Sequence, residues 1–234
     1  MKIKIDNQKG VSKFDTTTTI WGDNNMINSF IIEKNNFLNQ NIIAYYHQVY
    51  TGYGNPGNPN FINTLKNTFN NEPYKSLIEA RDNVTKILIN DLPNIAIQNN
   101  MYNCLCMAVP RSKAQDTYNV SQLMFKEAIR LSLKNNSTIM DGTNYIIRNK
   151  NTFTTHLAKA TKNGKIENDG EKPYPGITKD TCTIDYNRIK NRNIILVDDI
   201  YTKSINIDED CIQALLEAGA KKIIFYSIGY TRRI

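Results

Sequence analysis

The stretch from Asn193 to Tyr230 most constrains what this chain can fold into. NIILV is an apolar run, INIDEDCIQALLEAGA is a helical pattern ending at a glycine and an alanine, and KKIIFYSIGY is a second apolar run. Strand, helix and strand in so short a compass form a βαβ unit, because parallel strands need a crossover and a helix supplies it. Runs with no polar alternation belong to strands covered on both faces, so the class is α/β with a mostly parallel sheet. A chain of 234 residues can bury a substantial core as one large domain, or as one domain with a modest appendage.

Earlier segments fit that class. CLCMAVP reads as a buried strand closed by Pro110, with Cys104 and Cys106 on one face and the loop RSKAQDTYN at its carboxyl end. VSQLMFKEAIRLSL reads as a helix that turns Leu123, Ala128, Ile129 and Leu131 or Leu133 inward, and TIMDGTNYIIR offers a strand near its end. In YKSLIEARDNVTKILIN, Leu77, Ala80, Val84, Ile87 and Leu88 recur at helical spacing, and Pro93 is expected to end the helix. NIIAYYHQVY is β-branched and aromatic enough for a strand, TGYGNPGNPN is a loop, and FINTLKNTF is helical. The first 40 residues, rich in Asn and Thr, suggest irregular structure and one strand. Residues 149–186 are polar, contain Gly and Pro, and carry no stable period; they read as a mobile lid or a partly ordered insertion.

Composition narrows the function less. The formal charge of +7 suits phosphorylated ligands, but the Lys and Arg residues are scattered and define no nucleic-acid footprint. No apolar segment approaches the ~20 residues that span a bilayer, and the opening MKIKIDNQKG lacks a secretory core, so a soluble cytoplasmic protein without a membrane partner is expected. Four dispersed cysteines signal neither a zinc ribbon nor a disulfide framework.

The chemistry concentrates where NIILV meets Asp198 and Asp199. Ligands of open α/β sheets bind outside the carboxyl ends of the strands, and the strand is expected to stop at these two acids. Adjacent carboxylates there call for a cation or a hydroxyl-rich ligand, and a ribose diol or a divalent ion meets that demand. Asn206 is placed to cap the next helix, with Glu209 at capping-box spacing. The free N–H groups of that first turn, with the Thr202 and Ser204 hydroxyls, make a phosphate site beside the diol site. The same residues also suit a capped helix after an acidic turn with no ligand.

IILVDDIYTKSIN, followed by ALLEAGAKKIIFYSI, resembles the PRPP-binding motif of the type I phosphoribosyltransferases, most closely their competence-associated branch. The family pattern is a hydrophobic run, Asp-Asp, two variable residues, Thr-Thr-Gly-Ala-Thr or a relative, and a helix often ending Ala-Gly-Ala. The resemblance implies an open, mostly parallel sheet flanked by helices. It further implies an N-terminal hood over residues 1–72 and a transferase domain over 73–234, with its mobile loop near 149–186. It assigns Asp198 and Asp199 to the ribose and to Mg²⁺, directly or through water, and Thr202, Lys203, Ser204, Ile205 and Asn206 to the 5-phosphate. Ser204 stands where the family has glycine, and Asn206 where it has threonine. Upstream, Arg111, Ser112 and Lys113 match the pyrophosphate loop, and residues 117–121 match a Gly-Phe-Asn-Gln-Ser-like stretch. Lys159, Lys162, Lys165 and His156 fall in the catalytic loop, and Tyr45, Tyr46 and His47 in the hood that selects the acceptor. The branch's N-terminal cysteine cluster has no counterpart here. The activity implied is transfer of ribose 5-phosphate from PRPP to a nitrogen acceptor with release of pyrophosphate, compatible with a homodimer; the alternative is a PRPP- or nucleotide-binding sensor without turnover.

Overall fold

The computed structural model describes residues 27–154, 170, 172 and 175–231. In chain order these form β1 (Asn28–Ile32), β2 (Ile42–Tyr50), α1 (Asn60–Lys66), α2 (Tyr74–Gln98), β3 (Cys104–Ala108), α3 (Met124–Leu133), β4 (Ile139–Asp141), β5 (Ile146–Arg148), α4 (Ile177–Thr181), β6 (Cys182–Ile184), α5 (Tyr186–Ile189), β7 (Asn193–Tyr201), α6 (Ile207–Glu217) and β8 (Lys222–Thr231). Six strands make one sheet in the order β1-β2-β8-β7-β3-β4, and β5 pairs with β6 in a small separate ribbon. Only β1 runs antiparallel in the large sheet. The fold is therefore a mostly parallel α/β sheet flanked by helices, and residues 42–50 are one of its strands.

Period-two alternation divides the core. Cys104, Cys106, Ile195, Val197, Ile224 and Tyr226 face α2 and α3, together with Val84, Leu88, Ala128 and Ile129. Leu105, Met107, Ile194, Leu196, Ile223 and Phe225 face α6, with Ile212 and Leu215. Chain direction follows from this. From β2 to β3 to β4 the chain moves one way across the sheet with its helices on the first face. From β7 to β8 it moves the other way with α6 on the second face, as right-handed crossovers require. The reversal leaves β3 and β7 as neighbours whose following connections depart in opposite directions.

Two readings of the sequence change and a third is narrowed. Pro93 does not end α2, which continues to Gln98. Past the proline Ile95 and Ala96 extend the buried stripe of Val84, Leu88 and Leu92, and burying Ile95, at about 1.5–3 kcal/mol, offsets much of the ~3 kcal/mol of a proline in a helix interior. Pro93→Ala is accordingly expected to raise the unfolding free energy by roughly 1–2 kcal/mol, measured by urea titration, since it restores a main-chain bond. An unchanged or lowered midpoint would show that the helix is already relaxed around the ring. Within residues 149–186, α4 and β6 are ordered, as a partly ordered insertion requires, with Ile177, Cys182 and Ile184 buried and β6 paired to β5. TIMDGTNYIIR holds two short strands, β4 and β5, rather than one.

Candidate functional site

β3 and β7 pair from Leu105 with Ile194 to Ala108 with Val197. The last bond is Val109 N–H to the Val197 carbonyl at 2.9 Å. Beyond it the β3 chain leads to α3, so β3 and β7 are the neighbours at the sheet's topological switch point, the place where open α/β sheets of this kind carry a crevice. Asp198 and Asp199 stand on one side of it and the loop containing Arg111 on the other.

The acids do not mark the end of their strand. β7 runs on to Tyr201 because it keeps its partner β8, pairing Asp198 with Ser227, Ile200 with Gly229 and Tyr201 with Tyr230. What changes is the phase. Val197 and Ile200 pack on the same cluster, and Tyr201 returns to the other. The two carboxylates diverge across this slip. Asp199 meets Lys66 at the end of α1, Nζ to Oδ1 at 3.1 Å, with side chains 20% and 25% exposed. Asp198 instead shares a side-chain hydrogen bond with Asp208 of α6.

Electrostatics follow from that placement. Burial and the Asp199 charge push the Asp198 carboxyl up to about 7, while Lys66 opposes them. Asp208 is raised well above the carboxylate range by burial and by Asp198, and its Oδ1 has no hydrogen-bond partner. Burial also raises Glu209, which accepts from the Tyr201 hydroxyl at 2.8 Å. Burial disfavours the Lys66 charge, yet Asp199 and Asp198 more than offset it, so its net shift is upward.

The turn from Thr202 to Asn206 is closed by the Ile205 N–H to the Thr202 carbonyl at 3.0 Å. Thr202 and Thr231 hydroxyls meet at 3.0 Å, and the exposed Lys203 reaches Glu33 at 2.9 Å. Ser204 and Ile205 are exposed. The expected capping box is absent. Asn206 has left-handed backbone, φ 60°, so its side chain does not cap; its Oδ1 accepts from Asn35, and the Glu209 carboxylate has gone to Tyr201. Asp208, Glu209 and Asp210 fill the first turn of α6. Asp210 is committed, accepting from the Gly176 and Thr178 amides.

Across the crevice the basic loop is laced to residues 151–154. The Arg111 guanidinium lies 4.5 Å over the Tyr118 ring and donates to the Gln122 carbonyl. Ser112 Oγ contacts Thr154 Oγ1 at 2.8 Å, and Lys113 Nζ donates to the Thr152 carbonyl at 3.1 Å. Beneath this loop is a cavity of about 480 Å³ including its mouth, to which Arg111, Lys113, Lys126 and Arg148 contribute. His47 is held by the buried Asp91, Nδ1 to Oδ2 at 3.0 Å, and Tyr226 donates to the same oxygen at 2.6 Å. His156, Lys159, Lys162 and Lys165 lie outside the described residues.

Sequence reasoning missed Lys66, Asp208, Lys126 and Arg148. Arg148 did carry a signal, as a cation at the end of the apolar run YII; Lys66 carried none, since only packing of α1 brings it to β7.

For a magnesium ion, Asp198 and the orphaned Asp208 oxygen are hard donors of the right kind. Among the described residues, however, no group of three or more His, Cys, Asp or Glu side chains converges to hold a metal. The donors fit an ion that keeps most of its coordination on water or on a bound ligand's oxygens.

No family model matches the chain, and no curated protein matches it either. Among the described residues no helix is long and apolar enough to cross a membrane.

Proposed function

We propose that the chain is a magnesium-dependent phosphoribosyltransferase with a type I phosphoribosyltransferase-like fold, moving ribose 5-phosphate from PRPP to a nitrogen acceptor. The observation that carries the reading is the acidic segment of β7 beside the basic connection after β3, on the two sides of a topological switch point. One ligand with a diol at one end and a polyanion at the other matches that polarity.

In this reading Asp198, in its ionised form, and Asp199 accept hydrogen bonds from the ribose hydroxyls, and Lys66 holds Asp199 in place through their ion pair. The turn from Thr202 to Asn206 holds the 5-phosphate through its hydroxyls and main-chain N–H groups. Raised carboxyl groups on Asp208 and Glu209 let that turn approach a phosphate with less repulsion than two full charges would give. Arg111 leaves the Gln122 carbonyl and joins Lys113 on the pyrophosphate, where a guanidinium forks onto two oxygens. The C1–oxygen bond to pyrophosphate breaks, the C1–nitrogen bond forms, and a proton leaves the acceptor nitrogen. Bound with the pyrophosphate, Mg²⁺ supplies neutralising charge. Rate enhancement comes from positioning and electrostatic stabilisation.

The rival reading is a PRPP- or nucleotide-binding sensor without turnover. The three acids in the first turn of α6 and the internal commitment of Arg111 favour it. Incubation with PRPP, Mg²⁺ and a pool of bases and amines separates the two. Stoichiometric pyrophosphate release with a mass gain on one acceptor supports the transferase; saturable PRPP binding with no product supports the sensor; no PRPP binding overturns both.

A further inference from the structure

We infer that the cavity under the β3–α3 connection binds a planar organic anion, with an aromatic carboxylate as the simplest ligand that satisfies it. It lies on the β4 side of β3 and shares Arg111 and Lys113 with the proposed pyrophosphate loop, while no residue of β7 lines it; the inference stands whether or not the chain transfers phosphoribosyl groups. Arg111, Lys126 and Arg148 border one space, and none of the described residues lining it is acidic. Arg148 is only 3% exposed, and its hydrogen bonds go to neutral acceptors, the Arg111 carbonyl and the Thr181 hydroxyl. Among the described residues it has no ion pair. A guanidinium taken out of water without a counter-charge is costly, and an anion in the cavity offsets that cost. Lys126 is half-buried beside it, donating to the Gln115 side-chain carbonyl at 2.8 Å; burial lowers its pKa, and the Asp141 charge opposes that only in part.

The walls select the kind of anion. Tyr118, Phe125 and Ile146 contribute apolar wall, and Arg111 already sits 4.5 Å from the centroid of a ring it could exchange for a ligand's. A compact, strongly hydrated anion such as inorganic phosphate would meet the charges and leave these walls uncovered. A ring bearing a carboxylate meets both, since the planar fork of Arg148 matches a carboxylate's two oxygens.

Calorimetric titration of the full chain with benzoate, benzamide and pyrophosphate tests this. Benzoate is expected to saturate with a dissociation constant of about 1 mM or lower, and benzamide to bind at least 10-fold more weakly. Lys126→Gln is expected to weaken benzoate at least 10-fold with an unchanged far-ultraviolet spectrum. Arg148→Lys is the second variant, and Asp198→Asn is expected to leave benzoate affinity unchanged, which keeps this site distinguishable from the PRPP crevice. Failure of benzoate to saturate, equal affinity for benzamide, wild-type affinity in Lys126→Gln, or a pyrophosphate affinity that depends on Lys126 while benzoate's does not would each overturn the assignment.

Discussion

Replacing Asp198 with Asn is expected to lower kcat/KM for PRPP by roughly 10- to 100-fold, the effect of losing a charge-assisted hydrogen bond of about 1.5–3 kcal/mol. The same change is expected to stabilise the fold above neutral pH. Asp198 is lifted from its ordinary 3.8 to about 7, so between these values the folded chain keeps a proton that the unfolded chain releases. Stability attributable to this group is complete below about pH 4 and is lost as pH rises through 7. Asparagine carries no such proton, and the variant should be more stable than wild type at pH 8 by about 1–3 kcal/mol. Its pH profile should also be flatter, while Asp208 and Glu209 retain their own downward slope. Activity runs the opposite way, because the hydroxyl-accepting form is the ionised one: wild-type kcat/KM should climb between pH 6 and 8. Denaturant titrations at three pH values and a pH–rate profile check both halves. Full activity in Asp198→Asn, or a lower stability at pH 8, would contradict the role given to this residue.

Lys66→Met is expected to have the largest effect on stability. Lys66 is the cation that meets Asp199 and that acts electrostatically on Asp198. Methionine retains most of the apolar stem but leaves the Asp199 carboxylate three-quarters or more buried without its partner. Removing one member of a buried pair costs about 3–5 kcal/mol, and partial exposure brings the expectation to roughly 2–3 kcal/mol at pH 8. Acid should rescue the variant, because protonation of Asp198 and Asp208, both raised, removes the like charges around the unpaired Asp199; at pH 5 the deficit should fall below about 1 kcal/mol. A deficit independent of pH would mean that Lys66 matters for its packing under α1 and not for its charge.

The parts of this site differ in how far the sequence revealed them. β7, α6 and β8 were legible as NIILV, LLEAGA and KKIIFYSI, because buried parallel strands and the crossover between them write themselves as uninterrupted apolar runs and a helical period. The continuation of β7 through the aspartates was misread. Ile200 and Tyr201 are strand-forming residues, and the charges alone suggested a stop. That β2 lies beside β8 was not legible, since period and composition say that a segment is a strand but not which edge it joins. Nor was the split of Asp198 and Asp199 toward α6 and α1, which depends on a phase slip that β7 and β8 share. Arg111, Ser112 and Lys113 were found by their place after an apolar strand. Their hydrogen bonds to residues 122, 152 and 154 come from tertiary packing, which local pattern does not encode. Asn206 shows the limit most sharply: its residue type and the spacing to Glu209 satisfy a capping box, and left-handed backbone at that one position prevents it.

The measurement that tests the account most directly is a crystal structure of the chain soaked with PRPP and Mg²⁺. The account predicts ribose density in the crevice between β7 and β3, with its hydroxyls on Asp198 and Asp199 and the 5-phosphate at the turn from Thr202 to Asn206. PRPP absent at saturating concentration, or bound away from β7 with the Lys66–Asp199 pair undisturbed, would contradict it.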